Sequence, residues 1–266
     1  MRRAREAGLD VIALTDHDTV AGHGEARRAL PPGLTLLPGM ELSCRLRGHS
    51  VHMLCYLFDP AEPVLAAEVA RIRDSREHRA RAMVDRLREL GAPVTWERVA
   101  AIAGDAVVGR PHIARAMAEA GVVDSPQQAF SPQWIAAGGR AHVPRYALDP
   151  ARAIALVRAA GGVTVLAHPR AARGWTVPDE EIATMAAAGM SGIEVRHPEQ
   201  DQAQRARLYA LADSLGLVTS GGSDDHGELT GYRIGSEVVG PAEYERLVSQ
   251  AAGAVPVTGP GPGEHW

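Results

Sequence analysis

The sequence contains no lysine, so arginine supplies all 28 of its basic side chains. Because 32 acidic side chains outnumber them, the formal net charge is −4, and we do not expect the basic surface by which a protein binds duplex DNA. No apolar run approaches the roughly 18 residues of a membrane span, and the first residues lack the apolar core of a signal peptide. These absences predict a soluble, cytoplasmic protein that does not bind membranes.

Cysteine is also scarce, since only Cys44 and Cys55 are present. They lie on neighbouring predicted strands and are close enough in sequence to pair, but without a secretory signal we interpret them as reduced core residues. The chain also lacks a glycine-rich phosphate loop and any Ser–His–Asp arrangement. A P-loop nucleotidase and a serine hydrolase are therefore excluded, and the 11 histidines become the residues to explain.

The segment Val11–Leu14 reads as a buried parallel strand that runs directly into Thr15-Asp16-His17-Asp18. Taken alone, this segment also fits an Asp/His-rich turn that caps the next helix. Three later apolar strands end in the same kind of residues, at Glu41, at His168 and in the segment Gly222–His226. Because the carboxyl ends of parallel strands are where α/β proteins bind ligands and metals, the recurrence predicts a metal centre.

Six side chains are expected to converge on that face of the sheet: His17, Glu41, His52, His168, Asp224 and His226. Mixed imidazole and carboxylate ligands suit Zn²⁺, Mn²⁺ or Fe²⁺, and a carboxylate such as Glu41 can bridge two ions about 4 Å apart. Each residue also has an ordinary interpretation. His52 fits a core histidine, His168 a turn residue, and Asp224 and His226 polar loop residues.

Strand–helix alternation is interrupted from residue 60 to residue 140, where the periodicity predicts consecutive helices. We therefore predict a barrel domain in residues 1–59 and 141–252, a helical insertion in 60–140 and a disordered tail in 253–266. Within these, Pro126–Ala137 is predicted as a helix and Ile234–Val239 as a last short strand. Six or seven strand–helix units favour a closed α/β barrel over an open sheet.

The ordered set of Thr15–Asp18, Gly39-Met40-Glu41, His52, Ala167-His168-Pro169 and Gly222–His226 resembles the PHP (polymerase and histidinol phosphatase) superfamily. The resemblance implies a distorted seven-stranded barrel of the PHP type with up to three divalent ions. Mn²⁺ is the expected metal, with Zn²⁺, Fe²⁺ and Mg²⁺ as alternatives. The helical insertion and the segment Gly109–Arg115 are similar to one branch of that superfamily. Its members act on nucleoside 3′,5′-bisphosphates or on the 5′ ends of short RNA.

Within this resemblance we assign Asp16, His17 and Asp224 to catalysis and expect a phosphate of the substrate to bind Arg110. His112 and His197 are weaker candidates for the same contact. A guanidinium matches a phosphate bidentately, although Arg110 also fits a solvated loop arginine near a helix start. The expected reaction is metal-assisted hydrolysis of a phosphoester without a covalent nucleophile.

The front of the chain departs from the PHP pattern, which opens with an apolar strand, a His-x-His pair and an Asp. We expect the first barrel strand to be missing here, and we favour a start codon placed too far downstream over a truncated, impaired form because every later ligand is present. Two other interpretations stay open: a PHP module accessory to a polymerase, and a metal-depleted binding domain. The sequence does not determine the oligomeric state.

Overall fold

A computed structural model describes residues 1–104, 106–172, 175–227 and 230–261. The chain divides into two compact units, one formed by residues 1–66 with the described part of 148–266 and the other by residues 67–147. We call them the sheet unit and the helical unit. The predicted insertion, residues 60–140, begins and ends a little earlier than the helical unit.

The sheet unit contains a curled, half-barrel sheet with the strand order β1-β2-β3-β4-β5-β6. Its strands are β1 (Val11–Leu14), β2 (Thr35–Leu46), β3 (His49–Tyr56), β4 (Val163–Leu166), β5 (Gly192–Arg196) and β6 (Val218–Gly221), and β7 (Val257–Thr258) pairs with β2. The pairs β1–β2, β4–β5 and β5–β6 are parallel. This confirms the mixed α/β class and the barrel-like curvature predicted from the sequence.

Three strand pairs correct the expected parallel arrangement, because β3 runs antiparallel to both β2 and β4, and β7 runs antiparallel to β2. For β2 and β3 the reason is the tight connection through Arg47 and Gly48, whose φ angles are 48° and 85°. A two-residue turn with both residues left-handed joins antiparallel strands and cannot make a parallel crossover.

Three further predictions of local structure are wrong. Ile234–Val239 is not a strand, and its Ile234 packs instead against the apolar cluster around Leu34. Val257 and Thr258, placed in the disordered tail, form β7 through pairing with Leu36 and Thr35, while residues 262–266 lie outside the described residues. The predicted helix Pro126–Ala137 shortens to a 3₁₀ helix at Pro126–Ala129.

The α-helices, in chain order, are α1 (Arg2–Glu6), α2 (His23–Arg28), α3 (Pro63–Glu89), α4 (Trp96–Ala103), α5 (Arg110–Glu119), α6 (Pro150–Ala159), α7 (Asp179–Ala187), α8 (Gln202–Leu215) and α9 (Pro241–Val248). Helices α4, α6 and α8 begin with a side-chain cap. The Thr95 hydroxyl accepts the Arg98 N–H at the start of α4, and Asp201 and Gln204 form a reciprocal capping box at the start of α8. None of the helices within the described ranges has the length and apolarity needed to cross a membrane.

Each unit has its own apolar core. In the sheet unit, side chains of the strands pack against α9, as Leu54, Val165 and Val218 do with Leu247. In the helical unit, Met83 and Leu87 of α3 pack with Ile113 of α5. The helical unit therefore folds around apolar side chains of its own.

The connection that leaves β1 is fixed to β2 by a buried carboxylate. Asp18 is fully buried, and its two carboxylate oxygens accept the Ser43 backbone N–H and the Ser43 hydroxyl, each at 2.7 Å. Its φ of 53° is left-handed, which an aspartate tolerates better than most residues. These contacts hold the segment that carries Asp16 and His17 against the strand that carries Glu41.

Replacing Asp18 by alanine should lower the free energy of unfolding by about 2–4 kcal/mol, because two buried hydrogen bonds are lost and a serine hydroxyl loses its acceptor. Urea denaturation of the metal-free protein measures this. Asp10→Ala is the matched control, since that side chain is 89% exposed, and it should change stability by no more than about 0.5 kcal/mol. Equal stability of the two variants would contradict the role given to Asp18.

Candidate metal centre

The buried carboxylate of Glu41, which is 5% exposed, lies in the middle of a group of histidines. Glu41 sits on β2, where its backbone N–H donates to the Asp16 carbonyl at 3.2 Å and its carbonyl accepts the Asp18 N–H at 3.1 Å. This pairing continues the β1–β2 contact beyond the end of β1 and brings His17 opposite Glu41. The backbone pairing thus places His17 beside Glu41.

Three imidazoles surround the Glu41 carboxylate. Nδ1 of His52 lies 2.6 Å from Oε1, Nε2 of His168 lies 3.4 Å from the same oxygen, and Nδ1 of His17 lies 3.5 Å from Oε2. These histidines come from β3, from the residues after β4 and from the residues after β1. Four segments distant in sequence therefore meet at one carboxylate.

A second carboxylate, Asp224, lies in the loop after β6, with a left-handed φ of 47°. Its Oδ1 is 3.1 Å from Nε2 of His226, and its Oδ2 is 3.5 Å from both Nε2 of His197 and Nη2 of Arg233. Arg233 also donates to the Asp224 carbonyl at 2.8 Å. Asp224 is therefore balanced by three potential cations.

The two carboxylate groups are linked by contacts between histidine rings. The ring centroids of His17 and His226 are 5.8 Å apart, and those of His168 and His197 are 5.1 Å apart. The structure therefore brings together all six side chains for which a metal was predicted. Their role as ligands stays a prediction.

The histidines determine the charge of Glu41. Burial alone raises the pKa of this carboxyl, but His17, His52 and His168 outweigh the effect and hold its pKa well below the usual range. Burial correspondingly lowers the pKa of His168, yet the Glu41 hydrogen bond and charge, with Glu194 and Asp224, raise it to about 9. At neutral pH, without a metal, this half of the centre therefore holds a carboxylate and a protonated imidazole.

The pKa of Asp224 is set by the same two opposing effects. Burial raises its pKa, but hydrogen bonds from His197 and His226 overcome this and lower it strongly. The pKa of His226 rises in return, mainly through its hydrogen bond to Asp224. Asp224 is thus an anion throughout the neutral range.

The donor set fits a divalent cation. Nδ1 of His52 is buried and lies 2.6 Å from Glu41 Oε1, but the pair lacks hydrogen-bond geometry. Two close acceptor atoms of this kind are what a shared cation requires. The ligand atoms of His17, Glu41 and His52 all lie within 4.8 Å of one another. The cluster thus offers imidazole nitrogens and a carboxylate oxygen, which are ligand types that Mn²⁺, Fe²⁺ and Zn²⁺ accept.

The other predicted residues lie in different surroundings. The Asp16 carboxyl lies beside His23 and His226, and burial raises its pKa while those rings pull it down. Arg110 and His112 belong to the helical unit, where they start α5. His197 is only 2% exposed, and its Nδ1 accepts the Glu199 N–H at 3.1 Å. Its Nε2 therefore carries the proton of the neutral ring and faces Asp224. A contact between substrate and any of these side chains remains a prediction.

Two residues of this centre were not predicted from the sequence, Glu194 and Arg233. Glu194 lies inside β5 and is 4% exposed, and its Oε2 accepts the His168 backbone N–H at 2.8 Å. Burial is the main cause that raises its pKa to about 7. The segment Gly192-Ile193-Glu194 did carry a signal, because a carboxylate in an otherwise apolar strand must find a partner.

Comparison with known proteins agrees with this geometry. No protein-family model matches the chain. The 5′-3′ exoribonuclease of Haemophilus influenzae is 34% identical over 230 residues, covering 85% of this chain and 82% of that protein. The 3′,5′-nucleoside bisphosphate phosphatase of Chromobacterium violaceum is 32% identical over 234 residues, covering 87% and 82%. The chain belongs to the PHP-type family of metal-dependent phosphoesterases.

A solved structure supports the same assignment at the level of the fold. A metal-dependent phosphoesterase from Bifidobacterium adolescentis superposes with a TM-score of 0.86 at 34% sequence identity, covering 94% of this chain and 89% of the other. The resemblance predicted from five short motifs therefore extends over nearly the whole fold. The chain is a phosphoester hydrolase, and the clustered imidazoles and carboxylates are the chemistry that such an enzyme requires.

Metal binding to this PHP phosphoesterase should release a proton at pH 7.5, because His168 has a pKa of about 9 in the metal-free protein and binds a cation only when neutral. The apparent affinity for Mn²⁺ should rise between pH 7 and pH 9, by at most about tenfold per pH unit for each proton released. Titration calorimetry in buffers of different ionisation enthalpy counts the protons. His168→Gln should release about one fewer, and an unchanged count would refute this origin.

Proposed function

We propose that this phosphoesterase hydrolyses phosphate esters of nucleotides, with nucleoside 3′,5′-bisphosphates and the 5′ ends of short RNA as substrates. The observation that carries the proposal is the buried Glu41 carboxylate ringed by three imidazoles, with the Asp224 group beside it. The relatives named for a 5′-3′ exoribonuclease and for a 3′,5′-nucleoside bisphosphate phosphatase support the substrate class.

The ions would be held by His17, Glu41, His52, His168, Asp224 and His226, and we propose Mn²⁺ as the working metal. When bound, such ions supply Lewis acidity toward the phosphate oxygens and activate water as the nucleophile. Glu41 and Asp224 contribute the negative charge that attracts divalent cations. The buried positions of Glu41 and His197 limit competing water at this group.

Asp16 has the surroundings of a proton acceptor in this scheme. Its carboxyl lies beside His226 and its pKa is raised by burial, so it binds a proton more readily than an ordinary aspartate. We assign it the proton that the attacking water must lose. His17 and Asp224 would act through the ions and through the position of the substrate phosphate.

Arg110 is the proposed contact for a phosphate of the substrate. Burial lowers the pKa of its guanidinium, and the neighbouring charge of Arg76 lowers it further. No carboxylate of the described residues pairs with Arg110, whose guanidinium carbon lies 5.7 Å from the Phe130 ring centroid. A desolvated guanidinium beside a like charge gains most from an anion. His112, whose Nδ1 accepts the Gly109 N–H at 3.0 Å, fixes the start of the helix on which Arg110 stands.

Removal of divalent ions should abolish hydrolysis of adenosine 3′,5′-bisphosphate, and Mn²⁺ should restore it. Glu41→Gln keeps the shape of the side chain but removes the anion to which three imidazoles point, so it should lower kcat by at least about 100-fold and reduce bound metal. Phosphate release and metal analysis on the same samples measure both. Full activity of the chelated protein would refute the proposed function.

Arg110→Ala should raise KM for a 3′,5′-bisphosphate by about 10–100-fold, the 1.5–3 kcal/mol of a hydrogen bond to a charged group. Metal content should stay unchanged. Arg115→Ala is the matched control, because Arg115 stands on the same helix but pairs with Glu119 and is 49% exposed. Equal kinetics of both variants would remove Arg110 from the substrate site. A short 5′-phosphorylated RNA oligonucleotide assayed in parallel shows which of the two substrate classes is hydrolysed faster.

A further inference from the structure

Glu194 is a buried carboxylate that contacts the backbone of His168, a residue of the candidate metal centre. It lies on β5, it is 4% exposed, and its Oε2 accepts the backbone N–H of His168 at 2.8 Å. The contact is to the main chain of a predicted ligand. Glu194 is therefore placed to fix the backbone of His168, from which the imidazole projects, without itself being a ligand.

The backbone of His168 needs such a partner. Its φ is 28°, in the left-handed region that residues with a Cβ rarely adopt. In this conformation the ring reaches Glu41, with Nε2 3.4 Å from Oε1. Left-handed backbone in a residue with a Cβ persists when surrounding contacts over-determine it. The hydrogen bond from the His168 N–H to a fixed carboxylate is a contact of this kind.

Glu194 is itself fixed from two sides. The pairing of β5 with β6 is irregular between Glu194 and Arg196, which changes the direction of the strand there. The buried amide of Gln200 donates to the carbonyls of Glu194 and Val195 at 3.1 Å and 2.9 Å. A Cβ added at Gly222 would lie 3.2 Å from Glu194 Oε1, so glycine leaves room for the carboxylate.

Gln200 also holds the residues that follow His168. The side-chain oxygen of Gln200 accepts the Arg170 N–H at 3.0 Å. Both ends of the dipeptide His168-Pro169 are thus tied to the segment Glu194–Gln200, one through Glu194 and the other through Gln200. This leaves His168 little freedom to take the ordinary backbone conformation.

We propose that Glu194 is a positioning residue that holds His168 in its left-handed conformation and so sets the affinity of the ion that His168 binds. The inference rests on the proposed metal-dependent function. A carboxylate is suited to this position because one oxygen accepts the N–H while the side chain spans from β5 to the loop after β4. A glutamine offers the same acceptor, whereas an alanine offers none.

The experiment compares Glu194→Ala and Glu194→Gln with the wild type by Mn²⁺ titration and by the visible spectrum of the Co²⁺ form. Glu194→Ala should weaken one class of metal site by about 10–100-fold and change the Co²⁺ bands, as expected for loss of an outer partner of a ligand. Glu194→Gln should stay within about threefold. Glu181→Ala controls for the loss of a buried carboxylate, since Glu181 is 9% exposed and pairs with Arg47 on the same unit.

A double-mutant cycle separates positioning from general destabilisation. If Glu194 acts through His168, Glu194→Ala should have no further effect on metal affinity in a His168→Ala background. Histidine-ring NMR spectra of the chelated protein give a readout without metal. Glu194→Ala should shift the His168 ring signals, and Glu194→Gln should not.

Three results would overturn the inference: additive losses in the cycle, equal losses in Glu194→Gln and Glu194→Ala, or wild-type metal affinity in Glu194→Ala. An equal loss of metal affinity in both Glu194 variants would indicate that Glu194 acts through its negative charge, as a metal ligand does. The proposed function fails separately, when the wild type binds Mn²⁺ but does not hydrolyse nucleotides. The metal and NMR measurements do not depend on that outcome.

Discussion

The Glu41 carboxylate is the group on which the sheet unit depends, because it is a buried anion and every partner comes from a different segment. Burying an ion is costly unless it is paired and hydrogen-bonded. Glu41 meets this condition through close pairs with His17, His52 and His168 and a hydrogen bond with His168, and these residues belong to β1, β3 and β4 or to the residues that follow them. The charge can be accommodated only when these strands have assembled. Formation of the centre therefore requires that these strands are assembled.

The antiparallel hairpin explains how Glu41 and His52 reach each other. In the register of β2 with β3, His52 lies opposite Ser43, and Glu41 lies two residues from Ser43 on the same face of the sheet. Diagonal neighbours of this kind are close enough for long side chains to touch. The spacing between the two residues is thus set by the Arg47-Gly48 turn. A parallel connection would need a dozen or more residues, and the chain does not provide them here.

Much of the centre could be predicted because it follows a local rule: His17, His168 and Asp224 come directly after apolar strands. The direction of β3 could not be inferred from its apolar pattern, although the Arg47-Gly48 turn carried the information. Glu194 was missed because it lies within a strand and its partner is a main-chain N–H in the loop after another strand. Strand β7 was missed for a related reason, since Val257 and Thr258 become a strand only by pairing with β2.

The two carboxylates differ in what balances them, and this difference divides the centre. The groups that face Glu41 are imidazoles, which bind protons and metal ions through the same nitrogen atoms, so the two compete there. Asp224 faces Arg233 as well as two imidazoles. A guanidinium keeps its charge at every physiological pH, so Asp224 retains one cation whatever the pH. Metal binding at the Glu41 half therefore depends on pH through His168, whereas the Asp224 half keeps its anion.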